Sequence, residues 1–309
     1  MIVPARDSER TILRVLSAVA EQQAPGGHEV ILVDNGSTDH TARVVEQAGL
    51  ADRLIRRARG EGPGAARNAG AAAAHGEVLA FIDADCWPAP GWLAAGVAAT
   101  EAADLVQGRV RPDPAVHAGP FDRTLSVNAA YGLFETANLF VRRDRFESLG
   151  GFPAGLERTG APFGEDVLFG WQAQRSGART SFCAQALAYH EVRSRTATGF
   201  IRERTRLALF PGLAREVPEL REAFFYRRVF FSQRSASFDL AAAAVAAGLA
   251  AKRPAALAGA APYLWLVASD ARPWGLRSAL PVALAGLAAD AVGALALIAG
   301  SARAGALLV

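Results

Sequence analysis

Val78-Leu79-Ala80-Phe81-Ile82-Asp83-Ala84-Asp85 is a run of five apolar residues closed by an Asp-x-Asp triplet. An unbroken apolar run of this length, without polar alternation, reads as a strand buried on both faces, the kind found in parallel sheets covered by helices. In such open sheets, ligands gather outside the carboxyl ends of the strands, which is where the triplet falls. Carboxylates at i and i+2 project to the same side of an extended chain. They can share one divalent cation, or divide between a cation and a hydroxyl. Oxygen donors of this kind favour magnesium or manganese over zinc.

Upstream, the same order of elements recurs. Ile2 and Val3 read as the end of a strand, with the expected start of the protein a few residues further upstream. Ile12, Val15, Leu16 and Val19 then recur at helical spacing, with Asp7 or Ser8 as the expected cap and Pro25-Gly26-Gly27 as the stop. Residues 30–33 form a second apolar run ending in Asp34, followed by the turn Asn35-Gly36-Ser37 and a helix from residue 38 or 39 to 48. A short strand is expected at 54–55, and Gly62-Pro63-Gly64 opens a helix to residue 74. Downstream, a helix at 92–101 and a strand at 105–110 precede an irregular stretch, 111–135. A strand at 139–141, a helix led by Gly164-Glu165-Asp166, and short strands at 180–183 and 186–190 complete the pattern. Strands alternating with helices predict an α/β fold with a mostly parallel, Rossmann-like sheet. The expected domain spans residues 1–192.

Charge divides the chain further. The 309 residues carry a formal net charge of +3, but residues 1–192 hold 18 Arg against 23 Asp and Glu, a net −5. Residues 193–234 hold 10 Arg and 4 Glu, a net +6. Residues 235–309 carry only 8 charged side chains, in apolar segments at 240–251, 255–269 and 279–299. Only the last reaches the roughly 20 residues a membrane span needs, and Asp290 lies near its middle. Residues 193–234 thus read as a basic, amphipathic interfacial segment, in which Arg193, Arg195, Arg202, Arg204 and Arg206 precede two Phe-Phe pairs. Residues 235–309 read as a hydrophobic helical tail. A basic belt beside an apolar tail suits anionic lipid headgroups and places the protein on the cytoplasmic face of a membrane; nucleic acid is disfavoured as a partner. The two cysteines, Cys86 and Cys183, offer neither a disulfide framework nor a CxxC zinc motif. No cationic stretch followed by an apolar one opens the chain, so a cleaved secretory signal is not expected.

The order and spacing of several motifs resemble the family 2 glycosyltransferases. They are Pro4-Ala5-Arg6, Val33-Asp34-Asn35-Gly36-Ser37-Thr38-Asp39, Gly62-Pro63-Gly64-Ala65-Ala66-Arg67-Asn68-Ala69-Gly70 and Phe81-Ile82-Asp83-Ala84-Asp85. Asn138-Leu139-Phe140-Val141-Arg142-Arg143, Gly150-Gly151-Phe152 and Gly164-Glu165-Asp166 follow. The resemblance covers roughly the first 190 residues and the tail only loosely. It implies the GT-A nucleotide-diphospho-sugar transferase fold and transfer of a sugar from a nucleotide donor, UDP in preference to GDP. It also implies Mn2+ or Mg2+ as cofactor and inversion at the anomeric carbon, while the basic belt and apolar tail alone point to a hydroxyl of a lipid-linked or cell-envelope glycan as acceptor.

The resemblance also assigns positions. Pro4, Arg6, Asp34, Arg67 and Asp83 match residues that bind the donor nucleotide, Asp34 at the base and Asp83 at the ribose. Asp85 matches the metal ligand at the diphosphate, and His190 a histidine that approaches the metal. Asp166 matches the general base, while Asn138 and Glu165 fall where relatives shape the acceptor pocket, as does Thr136. Asp39 reads as a helix cap and Cys86 as packing. Gln233-Arg234 lacks the tryptophan of processive synthases, so one sugar per acceptor is expected. Two alternatives stand beside this reading. A sugar nucleotidyltransferase would need a Gly-rich basic loop where Ala5-Arg6-Asp7-Ser8 stands, and a non-catalytic nucleotide-sugar-binding protein would not need Asp34, Asp83, Asp85 and Asp166 all in place.

Overall fold

Four short strands, β1 (Ile2–Ala5), β2 (Ile31–Asp34), β3 (Arg53–Arg56) and β4 (Val78–Ile82), pair in parallel in the order β3-β2-β1-β4. This is a computed structural model, and it describes residues 1–58, 61–153 and 163–309. Helix α1 (Ile12–Ala20) buries Ile12, Val15, Leu16 and Val19, the stripe that its spacing predicts. It starts at Ile12, later than Asp7 or Ser8 suggest as caps. The Ser8 carbonyl accepts from the Thr11 and Ile12 amides, while the Asp7 carboxylate is taken up by the Thr38 amide and hydroxyl. Helix α2 (Thr41–Ala48) likewise starts after Asp39, whose carboxylate accepts from the Thr41 and Glu9 amides. Helix α3 (Pro63–Ala73) lies close on β1 and β2, because Gly70 has no side chain: a Cβ there would lie 2.5 Å from Ile2 Cγ2.

The sheet then departs from the parallel expectation. Strands β5 (Cys86–Pro88), β6 (Leu105–Pro112), β7 (Asn138–Arg142) and β8 (Thr180–His190) complete eight strands in the order β3-β2-β1-β4-β7-β6-β8-β5. β7 runs antiparallel to both β4 and β6, and β5 antiparallel to β8, while β6 and β8 are parallel. An apolar run such as Leu139-Phe140-Val141 is buried whichever way it points, so its direction is set by the connection and not by its composition. The two strands expected at 180–183 and 186–190 are one strand. The register against β6 jumps from Gly108↔Cys183 to Arg109↔Leu187, and this irregularity hides its continuity in the sequence. Helices α4 (Trp92–Ala99), α5 (Arg143–Ser148) and α6 (Glu165–Arg175) join these strands.

The chain divides into two compact units. Residues 1–117 with 124–192 form the first, and residues 118–123 with 193–309 the second. The second is helical: α7 (Ala197–Glu203), a 3-10 turn at Arg204–Leu209, α8 (Phe210–Glu216), α9 (Leu220–Ala223), α10 (Gln233–Ala251), α11 (Ala261–Ala271) and α12 (Gly275–Ala304). The basic segment is therefore several short helices and not one amphipathic helix. Phe224, Phe225 and Phe231 pack on one another and on Phe210, with ring centroids 4.9–6.4 Å apart. Inside this unit Asp290 of α12 accepts from Arg234 Nε at 2.8–2.9 Å and from the Tyr263 hydroxyl at 2.7 Å, and Arg234 also pairs with Asp270. By length and composition, the helical stretch 254–304 could cross a membrane.

Candidate active site

The carboxyl ends of β1, β2 and β4 come together because the strands are parallel neighbours in register. Ala5 pairs with Asp34, and Ile2 with Phe81, which sets Pro4 level with Asp83. Asp34 is buried; its Oδ1 accepts from the Ser37 amide at 3.0 Å, which closes the turn after β2. Asp34 therefore caps no helix, since α2 has His40 at its N-cap, and the turn engages one of its two oxygens. Arg6 is exposed at the same edge, with Nε 3.8 Å from Asp7.

Arg67, on α3, ties this edge to the next. The residue is only 4% exposed; Nη2 donates to Asp83 Oδ1 at 2.7 Å and Nη1 to Glu165 Oε1 at 3.3 Å. Asp83 and Glu165 hold the guanidinium firmly in its charged form in spite of its burial. The same bridge brings the Asp-x-Asp triplet to Glu165 and Asp166, which open α6 after Gly164, a residue in the left-handed conformation (φ 77°). Gly64 sits close under this junction: a Cβ there would meet Glu165 Cγ at 3.0 Å. The Asp166 carboxyl is pushed up to about 7, first by removal from water and then by the negative charge of Glu165, with Arg67 opposing.

Asp85 and His190 meet across the β5–β8 pair, in which Cys86 is the register partner of His190. His190 Nε2 lies 3.6 Å from Asp85 Oδ2, and a donor atom from each of Asp85, Cys86 and His190 lies within 4.8 Å of the others. His190 Nδ1 is 2.6 Å from the Glu191 carbonyl oxygen, which can only accept. Nδ1 therefore carries a ring proton and Nε2 faces Asp85, the ring orientation of a metal-binding histidine. The oxygen and nitrogen donors fit a divalent cation. The Cys86 thiol is buried in the sheet core, as a packing role requires, yet its sulfur also falls within this group of donors.

Asn138 corrects an expectation. Its side chain is 0% exposed and fully engaged: Oδ1 accepts from the Trp92 indole at 2.8 Å, and Nδ2 donates to the Arg109 and Ala186 carbonyls, each at 2.8 Å. It pins α4, β6 and β8 to β7 and leaves nothing for an acceptor. Thr136 beside it is also buried. One acidic residue near the site has no part in the sequence reading. Glu135 lies in the irregular stretch before β7, where no periodicity or motif marks it, and its charge acts on Asp166.

Known proteins resemble this chain in sequence and in fold. The model of the family described as glycosyl transferase family 2 matches residues 1–138. Glycosyltransferase AglE of Haloferax volcanii is 32% identical over 207 residues, which cover 62% of this chain and 66% of that protein. The pre-mycofactocin glycosyltransferase of Mycobacterium tuberculosis is 25% identical over 211 residues, covering 63% of this chain and 43% of the relative. This chain thus spans less than two thirds of the length of either relative. Among solved structures, the mannosyltransferase PcManGT from Pyrobaculum calidifontis, in complex with GDP-Man and Mn2+, superposes with a TM-score of 0.56 at 24% identity, over 98% of this chain and 85% of that one. TarS residues 1–349 from S. aureus, in complex with UDP-GlcNAc, gives a TM-score of 0.52 at 18% identity, over 99% and 91%. These likenesses are likenesses of fold, and the fold is GT-A. With parallel strands that end in Asp34 and Asp83-Ala84-Asp85, and a family match that runs across all of them, residues 1–138 are similar to glycosyl transferase family 2.

Proposed function

We propose that the protein is a metal-dependent, inverting glycosyltransferase that moves a sugar from a nucleoside-diphosphate donor, UDP-linked in preference to GDP-linked, to a hydroxyl of a lipid-linked or envelope acceptor. The observation that carries the proposal is the Arg67 bridge, which joins the Asp-x-Asp strand end to the Glu165-Asp166 helix start across a single buried guanidinium. Donor-side and acceptor-side carboxylates are thereby held in fixed relation, the preorganisation that group transfer needs.

Asp34, Pro4 and Arg6 form the nucleotide end, and Asp83, oriented by Arg67, is left to meet the ribose. Asp85 and His190 would hold the divalent cation, which neutralises charge on the departing diphosphate when bound. That the PcManGT complex contains Mn2+ supports a divalent metal as cofactor. Asp166 takes the proton of the attacking hydroxyl; a carboxyl near 7 suits a base that works at neutral pH. As the acceptor oxygen bonds to the anomeric carbon, the bond to the diphosphate oxygen breaks and its electron pair leaves with the nucleoside diphosphate.

Membrane association belongs to the same reading. The support is a set of exposed apolar side chains along α12, among them Leu276, Leu280, Leu284 and Leu295, with the basic segment before them. The three-part division into catalytic domain, basic segment and apolar tail, and the cytoplasmic location, rest on the charge pattern. The test incubates full-length protein with UDP-sugars, and separately with UTP and sugar 1-phosphates. Release of UDP with an inverted anomeric configuration in the product supports the transferase. Pyrophosphate release from the second mixture would make it a nucleotidyltransferase.

A further inference from the structure

Glu135 is an acidic residue at this site that the reaction scheme does not use, and its position is closely determined. Its carbonyl accepts from Gln107 Nε2 and from the Asn138 amide, each at 3.1 Å. The preceding residue, Phe134, has a left-handed backbone (φ 53°), a costly conformation for a bulky side chain. Its ring occupies the space above Gly170, where a Cβ would lie 2.1 Å from the ring atoms. The Trp171 indole donates to the Gly132 carbonyl at 2.9 Å and stands edge-on to Phe134, ring centroids 6.3 Å apart. Residues 132–135 are therefore clamped onto α6. Gly170 is one helical turn from Asp166 and on the same face, so the clamp holds the residue 134–135 backbone against the face of α6 that carries Asp166, near enough for the charge of Glu135 to act on Asp166.

Among the described residues, Glu165 and Asp166 face one cation, Arg67, whose guanidinium already bonds Asp83 and Glu165, and the charge of Glu135 adds to theirs at Asp166. Among the described residues, Glu135 has no ion-pair partner and no hydrogen-bond partner beyond its own backbone, and burial pushes its carboxyl up. Carboxylates without partners accept hydrogen bonds from hydroxyls, whereas a phosphate brought to the same place would meet like charge.

We propose that Glu135 and Asp166 together hold adjacent hydroxyls of a neutral sugar acceptor. Glu135 accepts a hydrogen bond from the hydroxyl next to the one that attacks, so the acceptor is a glycan hydroxyl and not the phosphate of a lipid carrier. The inference rests on the transferase reading. In the step it describes, the attacking oxygen bonds to the anomeric carbon, its proton passes to Asp166, and the nucleoside diphosphate leaves with the electron pair of the broken bond; Glu135 positions and exchanges no proton.

The test uses full-length protein and the sugar nucleotide from which it releases diphosphate, offered octyl glucoside, galactoside and mannoside, their monodeoxy analogues, and a short prenyl phosphate. Wild type is expected to glycosylate an octyl glycoside and not the prenyl phosphate. Glu135→Ala should raise the acceptor KM about 10- to 100-fold, the scale of a hydrogen bond to a charged group, while kcat at saturating acceptor falls far less. Glu135→Gln, which keeps the shape and an acceptor oxygen, should restore part of the affinity, and melting curves of both variants check folding. The deoxy analogue lacking the neighbouring hydroxyl should cost wild type the same factor and cost Glu135→Ala nothing further. Transfer to prenyl phosphate, no product on any glycoside despite donor turnover, or an unchanged acceptor KM in folded Glu135→Ala would each overturn the proposal. No diphosphate release from any donor by wild type would instead bring down the transferase reading itself.

Discussion

Asp166 joins the chemistry of the site to the stability of the fold. Its carboxyl is raised to about 7 in the native state by burial and by Glu165, against roughly 3.9 in an unfolded chain. The native state thus binds the proton more tightly, and this contribution to stability is full below the unfolded value and is lost as pH rises through about 7. Asp166→Asn, which cannot ionise, should match wild type near pH 4 and exceed it at pH 8 by roughly 2 kcal/mol or more, at about 1.4 kcal/mol per pKa unit; urea unfolding at the two pH values measures the difference. The same variant should lose about 10²- to 10⁴-fold in transfer, the scale of general base catalysis, and the wild-type kcat/KM for acceptor should rise with pH through an acid limb near 7. That Gly164-Glu165-Asp166 leads a helix was legible in the sequence, whereas the role assigned to Asp166 came from the family resemblance. Glu135 was not legible, since a single acid in an aperiodic stretch acquires meaning only when Phe134 and Gly170 are seen to pack.

At the scale of elements, Asn138 decides how the second half of the sheet is held. Removing its amide leaves the Trp92 indole and the Arg109 and Ala186 carbonyls without their partners in the interior, at about 1 kcal/mol or more for each group. Asn138→Ala should therefore destabilise the protein by roughly 3 kcal/mol in denaturant unfolding, while its acceptor KM, measured well below the melting temperature, stays at the wild-type value. An acceptor KM that rose without loss of stability would return Asn138 to the pocket. Strand and helix identities through β4 were readable because each apolar run ends in a turn signal. The antiparallel entry of β7 and the three-residue strand β5 were not, because direction and short edge pairing leave no periodic mark. As a result the His190–Asp85 meeting rested on family resemblance, and only the β5–β8 register places Cys86 among the same donors.

At the scale of the whole molecule, the helical unit pairs the one charge near the middle of α12. Asp290 is bound by Arg234 and Tyr263, while Leu276, Leu280, Leu284, Leu287, Leu295 and Ile298 of the same helix stay exposed. Apolar composition announced this tail in the sequence; the partners of Asp290 lie 27 and 56 residues away and did not. Full-length protein should float with vesicles containing anionic lipid and remain bound in 1 M salt, where surface electrostatics are screened to about 3 Å. Release by salt alone would mean that the basic segment, without the tail, makes the contact. The central claim, a metal-dependent nucleotide-sugar site built on Asp85, is tested most directly by nucleoside diphosphate release. Purified full-length protein is screened against UDP- and GDP-sugars with Mn2+ or Mg2+, with and without EDTA, alongside Asp85→Asn. Release from one donor, abolished by chelation and by the substitution, is the predicted result. Release that survives both would contradict the account.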